Sequence, residues 1–382
     1  MSRSQSPLSI PATMTASAAR PQLRSTTAMA IPRRRLWLFG LLAAVLAGAF
    51  LLSLTLGSVS IPTGDVVKIL VGGEPAKATW TDIVLKFRLP KALTALLAGA
   101  ALAVSGLQMQ TLFRNPLSDP FVLGISSGAS LGVALVVLGA GVAAGLGSGT
   151  KLLGGLSLAG DVGITVAAIV GSLLVLLLVL SVSRRVQSTM TLLILGLMFG
   201  YATSALVSVM LYFSIADRIQ AYISWTFGTF GGVTWSQMRV LAPSILLGLL
   251  LAFLLMKPLN ALLLGETYAR SLGLNVRRVR LAIITSAAVL AGVVTAFCGP
   301  IGFLGIAVPH FCRSLFGTSD HRVLLPAVTM MGAVLAIAAD LVASMPGSQL
   351  TLPLNAVTAL IGAPVVTWVI LRQRNLREAF AG

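Results

Sequence analysis

The chain has 382 residues, of which 57% are hydrophobic and 10% charged, with a mean hydropathy of +0.97. A soluble domain of this composition would leave large apolar patches in water, so the sequence describes a polytopic membrane protein. Its net charge of +17 would point to nucleic acid in a soluble chain, but in a membrane protein Lys and Arg gather in cytoplasmic loops during insertion, so their placement matters more than their sum.

Residues 1–35 are rich in Ser, Thr, Ala and Pro and carry six arginines and no acid. Nothing in them can bury a core, and they read as a disordered basic cytoplasmic tail that orients the first helix; a transit peptide has a similar composition. A spanning helix needs about 20 mainly apolar residues. Runs of that kind follow at Leu36–Leu56, Leu93–Leu112, Phe121–Val142, Val162–Val182, Leu192–Phe213, Val240–Met256, Leu281–Phe297, Leu324–Ala343 and Leu352–Leu371. A tenth, Ile301–Phe311, is short and ends near Pro309. Counted as a span, it puts both termini inside and divides the 27 Lys and Arg into nineteen inner and eight outer residues, as the positive-inside rule asks.

Within the runs, small residues cluster at Gly99, Gly106, Gly128, Gly132, Gly196 and Gly200. In lipid, close backbone approach through Gly and Ala supplies helix packing that no hydrophobic force provides. Intramembrane polar groups are few: Gln108 and Gln110 near the inner end of the second run, and Asp340 towards the outer end of the ninth. An ionised Asp at mid-bilayer costs about 2.5–3.5 kcal/mol on insertion scales, so Asp340 is expected to have a structural partner. Cys298 and Cys312 lie at opposite ends of one short segment and read as packing residues rather than a disulfide.

Between the sixth and seventh full runs lies a polar and basic insert, residues 259–280. Leu262, Leu263, Ala269 and Leu272 recur at helical spacing, while Gly265 and Gly273 interrupt the pattern, which predicts two short helices with a kink between them. Glu266 falls in the first turn of the second, where a carboxylate favours the positive end of the helix dipole; Arg270, Arg277, Arg278 and Arg280 place cationic charge towards the far end. The unit is too short and too charged to cross a bilayer. On these residues alone it fits an amphipathic connector lying on the membrane surface or a docking element for a soluble partner.

No Gly-Lys dipeptide occurs, so a Walker A phosphate loop is excluded. His310 and His321, in or beside one inner loop with Asp320, read as helix-end caps rather than metal ligands. No nucleophile and base stand at a meaningful spacing. A transporter without an energy site either uses an ion gradient or borrows an engine. A gradient-driven carrier is expected to show internal repeats and midplane acids; here there is a single such acid and no clear repeat.

The ordered motifs Arg88-Leu-Pro-Lys91 with Gly99–Gly106, Asn115–Pro120 with Leu123–Gly128, the Leu264-Gly-Glu to Gly273 insert, Gly299–Gly305 with Pro309-His310 and Asp320–Pro326, and Leu352-Pro353 with Thr358–Pro364 resemble the FecCD family, the permeases of bacterial iron-siderophore, haem and vitamin B12 importers of the ATP-binding-cassette class. The resemblance runs from about residue 36 to 374, leaving 375–382 as a cytoplasmic C-terminal tail. It implies an all-α integral membrane protein of ten transmembrane helices, with a cytoplasmic pair of short coupling helices between helices six and seven. It also implies a location in the bacterial inner membrane, a homodimer or paired permease with a pathway along the subunit interface, two cytoplasmic ATPases docking on the insert, and a separate substrate-binding protein outside. No cofactor, metal or catalytic residue is implied in this chain. By similarity, Leu264, Gly265, Glu266, Ala269, Leu272 and Gly273 face the ATPase, Ser188 and Thr189 form the cytoplasmic gate, and Arg88 and Lys91 receive acids of the binding protein. Ser344 stands where the family often has Arg, Thr351 where an acid is common, and Asn355 where Gly is usual. The expected cargo is a metal chelate, a ferric siderophore first, with haem or cobalamin as the alternative.

Overall fold

In a computed structural model, residues 33–139, 160–185, 189–347 and 350–379 are described. They are helical with no strand among them, as follows from a bilayer environment in which each backbone polar group must be satisfied within its own segment. The long elements are α1 (Arg33–Thr55), α4 (Leu89–Phe113), α6 (Gly160–Arg185), α7 (Thr189–Tyr212), α9 (Trp235–Leu254), α12 (Val276–Cys298), α14 (His321–Ala343) and α15 (Leu354–Ala379). Shorter ones are α2 (Thr63–Leu70), α3 (Ala78–Asp82), α5 (Ile125–Val137), α8 (Ala216–Thr226), α10 (Met256–Leu263), α11 (Glu266–Ser271) and α13 (Leu304–Phe316). Among the described residues, seven helices are long and apolar enough to cross a membrane, and α5, α13 and the Leu354–Thr367 part of α15 are shorter apolar helices.

The centre is α4. It joins α3 through a π-helical turn, Ile83–Arg88, and 83% of the apolar window of this continuous Ala78–Phe113 helix is buried, against 17% for α1 and 22% for α7. Two of its glycines explain why other helices come so close. A Cβ on Gly99 would lie 2.2 Å from the Gly332 carbonyl oxygen of α14, and one on Gly106 would lie 2.0 Å from that of Gly305 in α13. The small-residue clusters are thus contact surfaces, as packing without a hydrophobic drive requires.

Hydrogen bonds align the helix ends. At one end, here the far end, the start of α4 meets the ends of α1 and α14, and the indole N–H of Trp235, at the start of α9, donates to the Leu85 carbonyl (2.8 Å). At the other, the insert end, the end of α4 meets α10, α13 and the start of α14.

Several boundaries differ from those read in the sequence. The fifth element starts with a 3-10 turn, Pro120–Leu123, and a glycine at φ 78° before α5, because Asp119 caps the turn through its carboxylate; the remainder of the expected Phe121–Val142 run lies partly outside the described residues. The short run is displaced to Leu304–Phe316, so His310 stands inside α13 and not in a loop. Arg277, Arg278 and Arg280 belong to the first turns of α12, which starts early because the Asn275 side chain accepts the Arg278 N–H (3.1 Å). Sequence reading missed α2 and α8 at the far end; α2 covers a small separate core of Leu54, Ile61, Val66, Ile69, Val84 and Ala92.

Candidate functional site

The insert folds as two short helices and the entry to α12. In α10, Leu259, Ala261 and Leu262 are buried against the bundle. Gly265, at φ 109°, lets the chain turn directly into α11, a conformation costly for any residue with a Cβ. Ala269 faces inward and is fully buried, while Leu264, Tyr268 and Leu272 are 65%, 48% and 58% exposed. These exposed apolar residues share the unit with the exposed Arg270, Arg277 and Arg278. Gly273, at φ 82°, ends the unit.

Glu266 opens α11, as its dipole-favoured position predicts. Its carboxylate is committed within the chain: one oxygen accepts from the Arg280 guanidinium at 2.7 Å and the other from Arg270 at 3.4 Å. Arg280 has a side chain only 7% exposed, so this pair fastens α11 to α12.

A second set of polar groups joins α10 to the bundle. Asn260 Nδ2 donates to Asp320 Oδ1 (2.6 Å), and Asn260 Oδ1 accepts from the His321 backbone N–H (2.8 Å) and from Nδ1 of its ring (2.8 Å). The other ring nitrogen lies 2.9 Å from Thr111 Oγ1 in α4. Asp320 is the N-cap of α14, its carboxylate accepting the Arg322 N–H (2.9 Å). Burial pushes this carboxyl up, but the Arg322 and Asn260 hydrogen bonds and the charges of Arg322 and His321 outweigh it and hold Asp320 below its usual value. Nearby, Gln110 donates to the Gly305 and Ile306 carbonyls and accepts from Arg313 (2.6 Å), and His310 Nε2 lies 2.9 Å from the Pro116 carbonyl. Each histidine thus has its own hydrogen-bond partner, and no group of three or more His, Cys, Asp or Glu that could hold a metal occurs among the described residues.

At the far end, Arg88 is a capping residue. Its guanidinium donates to the carbonyls of Leu54 (2.8 Å), Thr55 (2.9 Å) and Val59, satisfying acceptors that the end of α1 leaves open. Lys91 pairs with Asp340 (3.1 Å) and donates to Ser344 Oγ (2.6 Å), which gives the intramembrane acid the partner its cost demands. Arg88, Lys91, Asp340, Ser344 and Thr351 line a cavity of about 410 Å³. Asn355 Oδ1 accepts the Gly302 N–H (3.1 Å) and its own N–H donates to Phe227 (3.0 Å), so this side chain ties the loop before α13 to the start of α15. Cys298 and Cys312 are buried and free. Of the expected gate pair, Thr189 is the first residue of α7 and Ser188 lies outside the described residues.

The structure therefore keeps Leu264 to Gly273 in one unit at one end and Arg88 with Lys91 at the other. Sequence reading did not single out Thr111, Asn260 or the pairing of Arg280; an amide and a hydroxyl beside apolar helix ends are the only trace they leave.

Residues 44–372 match the profile of the FecCD transport family. The chain belongs to that family. It is 40% identical over 344 residues to the vitamin B12 import system permease protein BtuC of Klebsiella pneumoniae subsp. pneumoniae, covering 90% of this chain and 96% of that one. BtuC of Salmonella typhimurium is 39% identical over 337 residues, covering 88% and 95%. A solved structure of an ABC transporter of metal-chelate type, in an inward-facing conformation, has a TM-score of 0.74 and 29% identity, covering 88% of this chain and 99% of that one. This FecCD protein is accordingly a multi-pass membrane permease of the ATP-binding-cassette importer class.

Proposed function

We propose that the chain is the membrane subunit of an importer that carries a metal chelate inward through the bacterial inner membrane, driven by two ATPases that grip the insert. The reading has α5, α13 and the Leu354–Thr367 segment completing the seven long helices to ten passes, with both termini and the insert cytoplasmic. The nineteen-to-eight charge division supports that orientation. The observation that carries ATPase docking is the exposure of Leu264, Tyr268 and Leu272 in a unit that is too charged to lie in lipid and is tied to the bundle by ion pairs and hydrogen bonds. Gly265, Glu266, Ala269 and Gly273 then act by shaping and fastening this unit, with the exposed Leu264, Tyr268 and Leu272 making the contact. Ser188 and Thr189 remain the proposed gate, and a second permease copy completes the pathway.

A binding protein docks at the far end. Arg88 is committed to three carbonyls and Lys91 to Asp340 and Ser344, so either of the two expected docking residues would share its charge with an acid of the binding protein at the cavity they line. For the cargo, 40% identity to vitamin B12 permeases makes cobalamin at least an equal candidate to the ferric siderophore, which rests on family membership alone.

The test is uptake in liposomes holding the permease with its ATPases and binding protein, comparing cobalamin, ferric siderophores and haem side by side. ATP-dependent uptake of one of them is expected. Full-rate transport by the permease without a nucleotide-hydrolysing partner would overturn the reading.

A further inference from the structure

One polar tie closes within the insert and another leaves it. Glu266 holds α11 to α12 through Arg280, its neighbour across the Gly273 turn. Asn260 instead reaches α14, a helix far along the chain, and α14 in turn reaches α4, the most enclosed helix of the described bundle. The Asn260 side chain is held from both ends: its oxygen takes both the backbone N–H and the ring N–H of His321, and its NH₂ donates to Asp320. An amide oxygen only accepts, so the His321 ring carries a proton on Nδ1. In the neutral ring Nε2 is then an acceptor, and the Thr111 hydroxyl must supply the proton between them. That same hydroxyl lies 2.9 Å from the Leu107 carbonyl of its own helix. One proton faces two acceptors, so the bond between α4 and α14 can be made or released without leaving the hydroxyl unsatisfied.

We propose that Asn260 is the joint through which displacement of α10 is passed to α14 and, by way of His321 and Thr111, to the insert end of α4. Asn260, His321 and Thr111 are positioning residues: they act by holding the ends of α10, α14 and α4 together. The proposal rests on the docking reading, because it needs a partner that moves α10. Its physical basis is a chain of short hydrogen bonds with every member buried or half-buried, ending in a hydroxyl with two available states.

The test compares hydrogen exchange in the complex with its ATPases, with and without MgATP and vanadate. In the unsubstituted complex, exchange should change at the insert, at the start of α14 and at the insert end of α4. In Asn260→Ala the insert should still respond while the α14 and α4 responses fall severalfold. In Thr111→Val, which keeps the shape and removes the hydroxyl, the α4 response alone should fall. Full α14 and α4 responses in Asn260→Ala, or equal weakening at the insert and the helices, would overturn the joint. If Asn260→Ala does not fold, an unchanged α4 response in Thr111→Val overturns it. No nucleotide response at the insert of the unsubstituted complex would instead defeat the docking reading.

Discussion

Asp119 shows how much one buried side chain can carry. Burial pushes its carboxyl up to about 6, against a smaller opposing effect of the Phe121 N–H that it accepts (2.9 Å). The folded state therefore holds the proton more tightly than the unfolded chain, so the stability that this group contributes is complete at acid pH and is lost as pH rises from about 4 through about 6. Asp119→Asn keeps an acceptor for Phe121 and removes the charge. It should stabilise the protein in detergent at pH 7.5 by up to about 3 kcal/mol, read as a higher thermal midpoint, with the advantage shrinking towards pH 4; an equal gain at both pH values would refute the charge argument. Glu266 makes a different point at this scale. Its place in the first turn of a short helix was legible from a glycine and a carboxylate in sequence, but its partner Arg280 lies fourteen residues on, and only the fold brings them together. Lys91 and Asp340 are separated by far more chain, and the sequence could say only that the acid needed someone.

Among the elements, α4 and α13 show what apolar runs miss. The run Leu93–Leu112 announced a span, yet the helix begins at Ala78 and passes through a π-turn that aims Arg88 at the end of α1. Hydropathy cannot see this because Lys86, Arg88 and Pro90 lower the apolar signal while the backbone stays helical, Pro90 following closely on the π-helical turn. The α13 run was found but misplaced, since its start depends on Phe303 at φ 68° and on Asn355 holding the Gly302 N–H. The contact of α13 with α4 gives a prediction. Gly106→Ala would bring a methyl group to 2.0 Å from the Gly305 carbonyl oxygen, so the helices must part, at a cost of about 1–3 kcal/mol. Gly48→Ala in α1 has open space around it and should be neutral or stabilising by about 0.5–1 kcal/mol. Thermal unfolding of the two variants compares them directly, and equal behaviour would mean that glycine proximity does not set this packing.

For the whole molecule, the proposed ten-pass arrangement can be tested with thiol labels. Cys298 and Cys312 are buried, leaving a quiet background for added cysteines. Ser58→Cys should react with an impermeant maleimide from outside intact cells, and Ser319→Cys only after the membrane is opened. Labelling of Ser319→Cys from outside would mean that α13 does not cross. The sequence by itself determined that this is a polytopic helical membrane protein of FecCD type and where its polar insert lies, because hydropathy, glycine breaks and motif order are local along the chain. Only the tertiary structure decided what the charged and polar residues do: Arg88 caps a helix, Glu266 is an internal tie, and Asn260 links the insert to the bundle. Such roles depend on contacts between residues distant in sequence, and hydrogen bonds of that kind leave no period or spacing to read.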